Sequence, residues 1–177
     1  MRKEIIERIE IPEGIEVEFG EGFIRLKKGN QEIERKYHGF GIKKDGNTLE
    51  LKEKVATKKE KKLLKTTAAH IRNAVHGLGK KFVCKLQICN VHFPMTTSFD
   101  KTKSEFAIKN FLGEVKPRIA KIHKNAEINV DKDIITLESY DREAIGQSAA
   151  NIERATRITK RDRRTFQDGI YLIERSG

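Results

Sequence analysis

An internal repeat limits the folds open to this sequence more than its composition does. The repeat starts from two β-hairpin patterns, in which apolar and aromatic residues flank a tight polar turn. The first hairpin is VEFGEGFIRL at 17–26, with its turn at 20–22, and the second is INVDKDIITL at 128–137, with its turn at 131–133. The apolar positions of the two segments coincide, so the sequence predicts two copies of one unit.

An amphipathic helix is predicted after each hairpin. Apolar residues spaced four and three apart form one helical face in the first half, and they are Leu64, Ala68, Ile71, Val75 and Leu78. The second half repeats this spacing at Ile145, Ala149, Ile152 and Thr156. TAAHIRNA (67–74) and SAANIERA (148–155) share Ala, Ala, Ile and Ala in register. Thr57 followed by Glu60 is a capping box that predicts the start of the first helix.

The fold class follows from the number and type of these elements. The joint between the copies is predicted in HGLGKKF at 76–82, where two glycines and two lysines follow the helical face. Several short strand-like runs lie in each half besides the hairpins. We therefore predict an α+β protein of two tandem similar domains, 1–79 and 80–177, each a mostly antiparallel sheet packed with one long helix.

The charge of the chain indicates a polyanionic partner. Lys and Arg number 37 against 26 Asp and Glu, which gives a formal net charge of +11 over 177 residues. Nucleic acid and an anionic membrane surface both fit that balance. No apolar run approaches the roughly 18 residues of a membrane span, and glutamates interrupt the segment where a signal peptide is apolar. Two cysteines suit a reducing compartment, so we expect a soluble cytoplasmic protein that does not enter a membrane.

The sequence shows no pattern of residues that would carry catalysis. Its five histidines stand in no known catalytic motif, and its glycines form no dinucleotide or phosphate loop. Cys84, Cys89 and His92 suggest zinc, but residues five apart on a strand point to opposite faces and cannot converge on one ion. We expect no enzyme activity, no metal, no cofactor and no small-molecule substrate.

Two segments concentrate the positive charge. Residues 52–65 hold seven lysines and two glutamates, and a solvated helix face explains such a stretch well. The second segment is rich in arginine and precedes a predicted buried strand at 169–173, and its cations are Arg154, Arg157, Lys160, Arg161, Arg163 and Arg164. Arginine binds phosphate through a planar fork of donors. A strand anchored in the core would hold these arginines in place, so this segment is the predicted phosphate-binding site.

Four longer segments resemble the archaeal and eukaryotic branch of the ribosomal large-subunit protein L-six family. They are RDRRTFQDGIYLIER (161–175), IKNFLGEV (108–115), HFPMTTSF (92–99) and AAHIRNAVHGLGKKFVCKL (68–86). The similarity covers essentially the whole chain, and tandem domains in that family agree with the repeat. The bacterial branch has a loop rich in lysine and glycine where this chain has TKRDRRTFQDG (159–169), so RNA contacts carry over as a region only.

The resemblance implies a structural constituent of the large ribosomal subunit. Such a protein binds large-subunit rRNA near the sarcin–ricin loop and the base of the factor-binding stalk. The second domain makes the main contact. Its partners would be rRNA and neighbouring large-subunit proteins, with translational GTPases nearby. The rRNA-binding residues implied on this sequence are Lys80, Lys81, Lys109, Asn110, Arg157, Lys160, Arg161, Arg163 and Arg164.

Two other classes of protein compete with this interpretation. An enzyme acting on RNA would use the basic face as a substrate track, and a DNA-compacting protein would use it on duplex DNA. Turnover of an RNA substrate would favour the enzyme. Co-purification with the nucleoid instead of with large subunits would favour the DNA-compacting protein.

Overall fold

The computed structural model describes residues 3–162 and 164–175, which form two compact units, Met1–Lys80 and Lys81–Gly177. The elements of the first unit are β1 (Lys3–Glu10), β2 (Glu16–Gly20), β3 (Phe23–Lys28), β4 (Gln31–Lys36), β5 (Gly41–Asp45), β6 (Thr48–Ala56) and α1 (Lys58–Gly79). Its strands form two antiparallel three-stranded sheets, in the orders β1-β6-β5 and β2-β3-β4.

Helix α1 begins at the capping box that the sequence predicts. The hydroxyl of Thr57 accepts from the backbone N–H of Lys59 at 3.3 Å, and the Glu60 carboxylate accepts from the Thr57 N–H at 2.8 Å. The predicted apolar face is buried apart from the half-buried Val75, and its buried residues include Leu64, Ala68, Ile71, Ala74 and Leu78. This face packs on the sheets, with contacts to β1 and β6 and fewer to β3 and β4.

The second unit contains the same elements and one additional strand. In order they are β7 (Phe82–Cys89), β8 (Thr96–Asp100), β9 (Glu105–Lys109), a 3-10 turn (Phe111–Gly113), β10 (Arg118–Lys121), β11 (Glu127–Asp131), β12 (Ile134–Ser139), α2 (Arg142–Ala155) and β13 (Gly169–Arg175). Its sheets are antiparallel, with the orders β11-β12-β7-β13 and β10-β9-β8. Helix α2 packs on strands of both sheets, so the core of the unit lies between that helix and the sheets.

The topology corrects the alignment of the two hairpins. In each unit the first strand pairs with the sixth and the sixth with the fifth, so the counterpart of β11–β12 is β5–β6. The hairpin at 17–26 is β2–β3, which lies in the other sheet and corresponds to β8–β9. Each unit contains several hairpins with alternating apolar residues, so a short apolar pattern could not identify the equivalent pair. The buried Leu49 and Leu51 take the places of Ile135 and Leu137.

The last strand is less buried than the sequence predicts. Gly169 and Ile170 are buried, but Tyr171, Leu172 and Ile173 are 40%, 38% and 52% exposed. Within the described residues β13 pairs with β7 alone, which makes it an edge strand, and its register shifts between Leu172 and Glu174. The apolar run predicts burial along the whole of 169–173, whereas only Gly169 and Ile170 are buried.

The predicted fold class is confirmed, because each unit is a mostly antiparallel structure with one long helix. In residues 3–162 and 164–175, no helix is both long and apolar enough to cross a bilayer. The division into domains 1–79 and 80–177 that fold separately stays a prediction.

The matching isoleucines of the two helices provide a test of core packing. Ile71 and Ile152 are both 0% exposed, so Ile71→Ala and Ile152→Ala should each lower the free energy of unfolding by about 2–5 kcal/mol. Urea denaturation of each variant measures the change. Alanine at the exposed neighbours His70 and Glu153 serves as the control and should leave the midpoint nearly unchanged. An unchanged midpoint for either isoleucine variant would contradict its buried position.

Independent folding of the second domain is tested with the fragment 80–177. We expect a cooperative thermal transition by circular dichroism, because this part of the chain contains its own core around Leu86, Phe106 and Ile152. A domain of this size buries a smaller fraction of its surface, so its midpoint should be lower than that of the full chain. A fragment that melts without cooperativity would show that the second domain depends on the first.

Candidate nucleic-acid interface

The basic loop, residues 156–168, joins the end of α2 to β13 and is fixed in the core near both ends. At its start Thr156 is buried, and its hydroxyl accepts from the backbone N–H of Ile170 at 3.0 Å. Ile158, two residues further on, packs into the hydrophobic core. The loop therefore cannot move freely as a whole, although most of its side chains face solvent.

The buried carboxylate of Asp168 fixes the end of the basic loop. Its Oδ1 accepts from the backbone N–H groups of Val91 and His92 at 2.6 and 2.9 Å, and its Oδ2 lies 2.6 Å from Nδ1 of His92. Because the carboxylate accepts hydrogen bonds, the His92 ring donates from Nδ1. His92 is thus held by a carboxylate, and within the described residues no group of three or more His, Cys, Asp or Glu could hold a metal ion.

The pKa of Asp168 is set by opposing effects. Burial raises the pKa of this carboxyl, but the hydrogen bonds from the backbone and ring of His92 and from the Val91 N–H outweigh burial and hold the pKa below its usual range. Asp168 is therefore ionised at neutral pH. Hydrogen bonds to a charged acceptor are stronger than those between neutral groups, so they restrain the segment 90–92 and the basic loop together.

Aromatic stacking orients the side chain of Arg161 in the basic loop. The rings of His92 and Phe166 stack at 4.9 Å between centroids, and Cζ of Arg161 lies 4.8 Å from the Phe166 centroid. A cation over an aromatic ring is stabilised by about 0.5–1 kcal/mol at an exposed site. A tight turn supports the arrangement, because the carbonyl of Asp162 accepts from the N–H groups of Thr165 and Phe166. Arg161 is thus oriented while its donors stay exposed.

The cations of the basic loop are exposed and have no carboxylate partner. Arg157, Lys160, Arg161 and Arg164 make no ion pair with any acidic residue in 3–162 or 164–175. Arg163, which the sequence also predicts, lies outside the described residues. By contrast, Arg25, Lys85 and Arg118 each pair with a glutamate. The loop thus offers positive charge that no carboxylate of the described residues contacts directly, although the charge of Arg161 also acts on Glu114.

The last residue of β9 and the first residue after it are the next two predicted residues. Lys109 and Asn110 are exposed, and Asn110 has a left-handed backbone with φ 59°. Its Nδ2 donates to the carbonyl of Pro94 at 3.0 Å, which fixes the turn against the segment before β8. The next residue, Phe111, is 1% exposed and belongs to the core. Lys109 and Asn110 are therefore presented at the surface beside a buried anchor.

Arg118 connects this turn to the basic loop. Its guanidinium makes two hydrogen bonds to the Glu114 carboxylate, at 2.6 and 2.8 Å, and lies 4.2 Å from the Phe111 ring centroid. Its Nη1 also donates to the carbonyl oxygens of Ala155 and Arg157, at 2.9 and 3.2 Å. The hydrogen bonds from Arg118 lower the pKa of Glu114, and the charges of Arg118 and Arg161 add to that effect. Arg118 therefore contacts both Phe111, the residue after Asn110, and the start of the basic loop.

The role of Arg118 was missed by the sequence analysis. The carbonyl end of a helix carries partial negative charge that repels anions, and Arg118 covers the carbonyl of Ala155, the last residue of α2, and that of Arg157 just beyond it. This contact makes the region more suitable for phosphate. The only signal in the sequence was a glutamate and an arginine four residues apart, Glu114 and Arg118. That spacing brings side chains together in a helix, and this segment is not predicted to be helical.

Lys80 and Lys81 lie away from the basic loop. Lys81 precedes β7, whereas Gly169, directly after the basic loop, pairs with Cys89 at the other end of that strand. The eight residues of β7 span roughly 26 Å at about 3.3 Å per residue. Nζ of Lys81 is also 2.7 Å from the Glu127 carboxylate, and this hydrogen bond raises the pKa of Lys81. These two lysines are not part of the cluster formed by the other predicted residues.

The cluster of anchored, exposed arginines is typical of a protein that binds a polyanion such as nucleic acid. Comparisons with known proteins show to which family within this class of polyanion-binding proteins the chain is similar. The family model described as "Ribosomal protein L6" matches residues 100–169. A curated "Large ribosomal subunit protein uL6" from Desulfurococcus amylolyticus is 40% identical over 174 residues, which cover 97% of this chain and 95% of the relative.

Two further relatives have the same name and similar extent. The protein from Methanothrix thermoacetophila is 37% identical over 177 residues, 99% of each chain. The protein from Methanobrevibacter smithii is 41% identical over 173 residues, 97% of this chain and 96% of the relative. The chain therefore belongs to the ribosomal protein L6 family, which confirms the resemblance seen in the sequence. It is a ribosomal protein of the cytoplasm, in a family of structural proteins and not of enzymes.

The anchoring role of Asp168 predicts a stability change that depends on pH. Asp168→Asn removes the charged acceptor for His92 and should lower the free energy of unfolding at pH 7 by about 1–3 kcal/mol. Because the folded-state pKa is depressed, this stabilisation is present above the unfolded pKa of about 3.9 and is lost as the pH falls through the lower folded value. Urea denaturation from pH 7 into the acid range should therefore show the two proteins converging.

Asp133→Asn is the matched control, because Asp133 is an exposed carboxyl in the turn between β11 and β12 of the same unit. It should change stability little at any pH. A constant difference between wild type and Asp168→Asn across the acid range would contradict a stabilising charge at Asp168.

Proposed function

We propose that this chain is a structural constituent of the large ribosomal subunit that binds large-subunit rRNA mainly through the basic loop. The observation that carries the proposal is the set of exposed cations without carboxylate partners on a loop fixed by Asp168, Thr156 and Ile158. Cations of this kind can neutralise phosphates and release the counterions condensed on them. Their fixed positions reduce the entropy that binding would otherwise cost.

Lys109 and Asn110 extend the proposed contact. They directly precede Phe111, whose ring lies against the Arg118 guanidinium, and Arg118 also donates to the Arg157 carbonyl of the basic loop, so that one RNA segment can contact both. Arg118 itself is committed to Glu114 and to backbone carbonyls, and it supports the surface without adding a free charge. Lys80 and Lys81 are weaker candidates, because Lys81 already pairs with Glu127. The second unit thus provides the main contact in this proposal.

The proposed place of the chain is beside the sarcin–ricin loop and the base of the factor-binding stalk, where translational GTPases act. The support for this place is the resemblance of the motifs at 108–115 and 161–175 to the family, together with family membership. The protein would fold and hold the rRNA there without doing chemistry itself. Chemical footprinting of rRNA in subunits assembled with and without the protein tests this location.

The contribution of the basic loop is tested by the salt dependence of binding. Each neutralised phosphate contributes roughly 0.9 to the slope of log affinity against log salt for duplex DNA and about 0.7 for single strands. Replacing Arg157, Arg161 and Arg164 together with alanine should therefore flatten the slope by about 2–3 units if each contacts a phosphate. The measurement is a binding titration of the full chain with large-subunit rRNA over a salt series.

The matched control replaces Lys58, Lys59 and Lys62, exposed lysines of α1, with alanine. It removes the same charge, so a purely non-specific effect of net charge would flatten both slopes equally. We expect a smaller change for the lysine variant. Equal slopes for wild type and the arginine variant would exclude the basic loop from the interface. Duplex DNA bound as tightly as rRNA would favour a DNA-compacting protein.

A further inference from the structure

A cavity of about 680 Å³ opens next to the basic loop in the second unit. It lies between the last turns of α2 and the start of β13. The residues that define its character are Cys89, Ala150, Arg154, Arg157, Gln167 and Tyr171. Its volume is in the range of pockets that hold small organic groups, and phosphate binding by the basic loop does not account for it.

The lining combines apolar, cationic and aromatic groups with one carboxylate, that of Glu153. Cys89 and Ala150 supply apolar wall, while Arg154 and Arg157 are exposed cations of the α2 end and the basic loop. Tyr171 supplies an aromatic ring that is held in place, because its hydroxyl lies 3.3 and 3.4 Å from the carbonyls of Gln167 and Asp168. This combination suits a flat ring joined to an anion, which is the chemistry of a nucleotide.

We propose that the cavity receives one unstacked base of the bound rRNA. This inference rests on the proposed function of the basic loop. Proteins recognise RNA by taking splayed bases onto aromatic and guanidinium planes and by bonding the base edges. Here the base packs against the Tyr171 ring and the apolar wall, and the Gln167 side-chain amide forms hydrogen bonds with the edge of the base. Arg154 and Arg157 bind the phosphates on either side of it.

The net charge of the lining favours RNA as the occupant, because Arg154 and Arg157 outnumber the one carboxylate of Glu153. The cavity shares Arg157 with the basic loop, so a strand whose phosphates lie on the loop has its bases within reach of the opening. The Phe166 ring is already in contact with His92 and Arg161, which leaves Tyr171 as the more accessible aromatic surface. The cavity therefore adds recognition of an unpaired nucleotide to a surface that otherwise binds phosphates without regard to sequence.

The natural cysteines provide a direct test. Cys89 lines the cavity and is half-buried, whereas Cys84 is 1% exposed and serves as an internal control. The full chain is alkylated with iodoacetamide alone, with the large-subunit rRNA transcript, and with a fully paired RNA duplex. Mass spectrometry follows each cysteine, and a gel shift on the same samples reports the bound fraction.

We expect saturating rRNA to slow alkylation of Cys89 at least tenfold, while the bound duplex leaves it reactive and Cys84 stays unmodified throughout. Bound rRNA that leaves Cys89 as reactive as before overturns the pocket and leaves the proposed function intact. Equal protection by the paired duplex also overturns it, since phosphate contact over the opening then explains the result. An absence of rRNA binding overturns both proposals.

A cavity-filling variant provides an independent test. Ala150→Leu fills the space without removing a charge, so it should weaken rRNA binding by about tenfold, the size expected for one stacked base. The salt slope should stay that of wild type, because a base contact releases no counterions. Ala69→Leu, the same change on an exposed position of α1, is the control and should leave affinity unchanged. Wild-type affinity for a folded Ala150→Leu protein, checked by its thermal midpoint, would overturn the pocket.

Discussion

The buried carboxylate of Asp168 is the interaction on which the candidate interface depends. It is charged, and three hydrogen bonds from Val91 and His92 compensate for its removal from water. Those bonds hold His92 against Phe166, and Phe166 in turn supports Arg161. The buried carboxylate of Asp168 therefore fixes the part of the basic loop that presents Arg161 to solvent. A loop of the same charge without this anchor would lose more conformational entropy on binding an anion.

Arg118 completes the arrangement by a different use of charge. Its guanidinium donates two hydrogen bonds to Glu114 and one each to the carbonyls of Ala155 and Arg157, so it contributes order more than binding capacity. The bond to the Ala155 carbonyl reduces the negative potential of the helix end, and the bond to the Arg157 carbonyl connects Arg118 to the basic loop. In the described residues, paired cations thus build the surface and unpaired ones are left to interact with the partner.

Much of the candidate site could be predicted from the sequence, because a dense run of arginines is a local property. The run at 157–164 and the pair Lys109 and Asn110 were predicted, and the structure places their described members at the surface, while their role in binding stays a prediction. Lys80 and Lys81 are also basic, but they lie at the far end of β7, and charge alone could not show this. Arg118 and Asp168 were missed because their effect depends on partners that are remote in sequence, at Ala155 and at His92.

The fold class and the two helices with their buried faces could be predicted from the sequence, because they depend on periodicity and capping, which are local in the chain. The family could be recognised because its motifs are local as well. It could not determine which hairpin of one unit corresponds to which of the other, because alternating apolar residues recur in most strands and only pairing distinguishes β5–β6 from β2–β3. It also overestimated the burial of β13, because an apolar run does not show whether a strand lies at an edge. Strand pairing and long-range hydrogen bonds form only when the chain is packed, and they determine which residues of the candidate site lie close together.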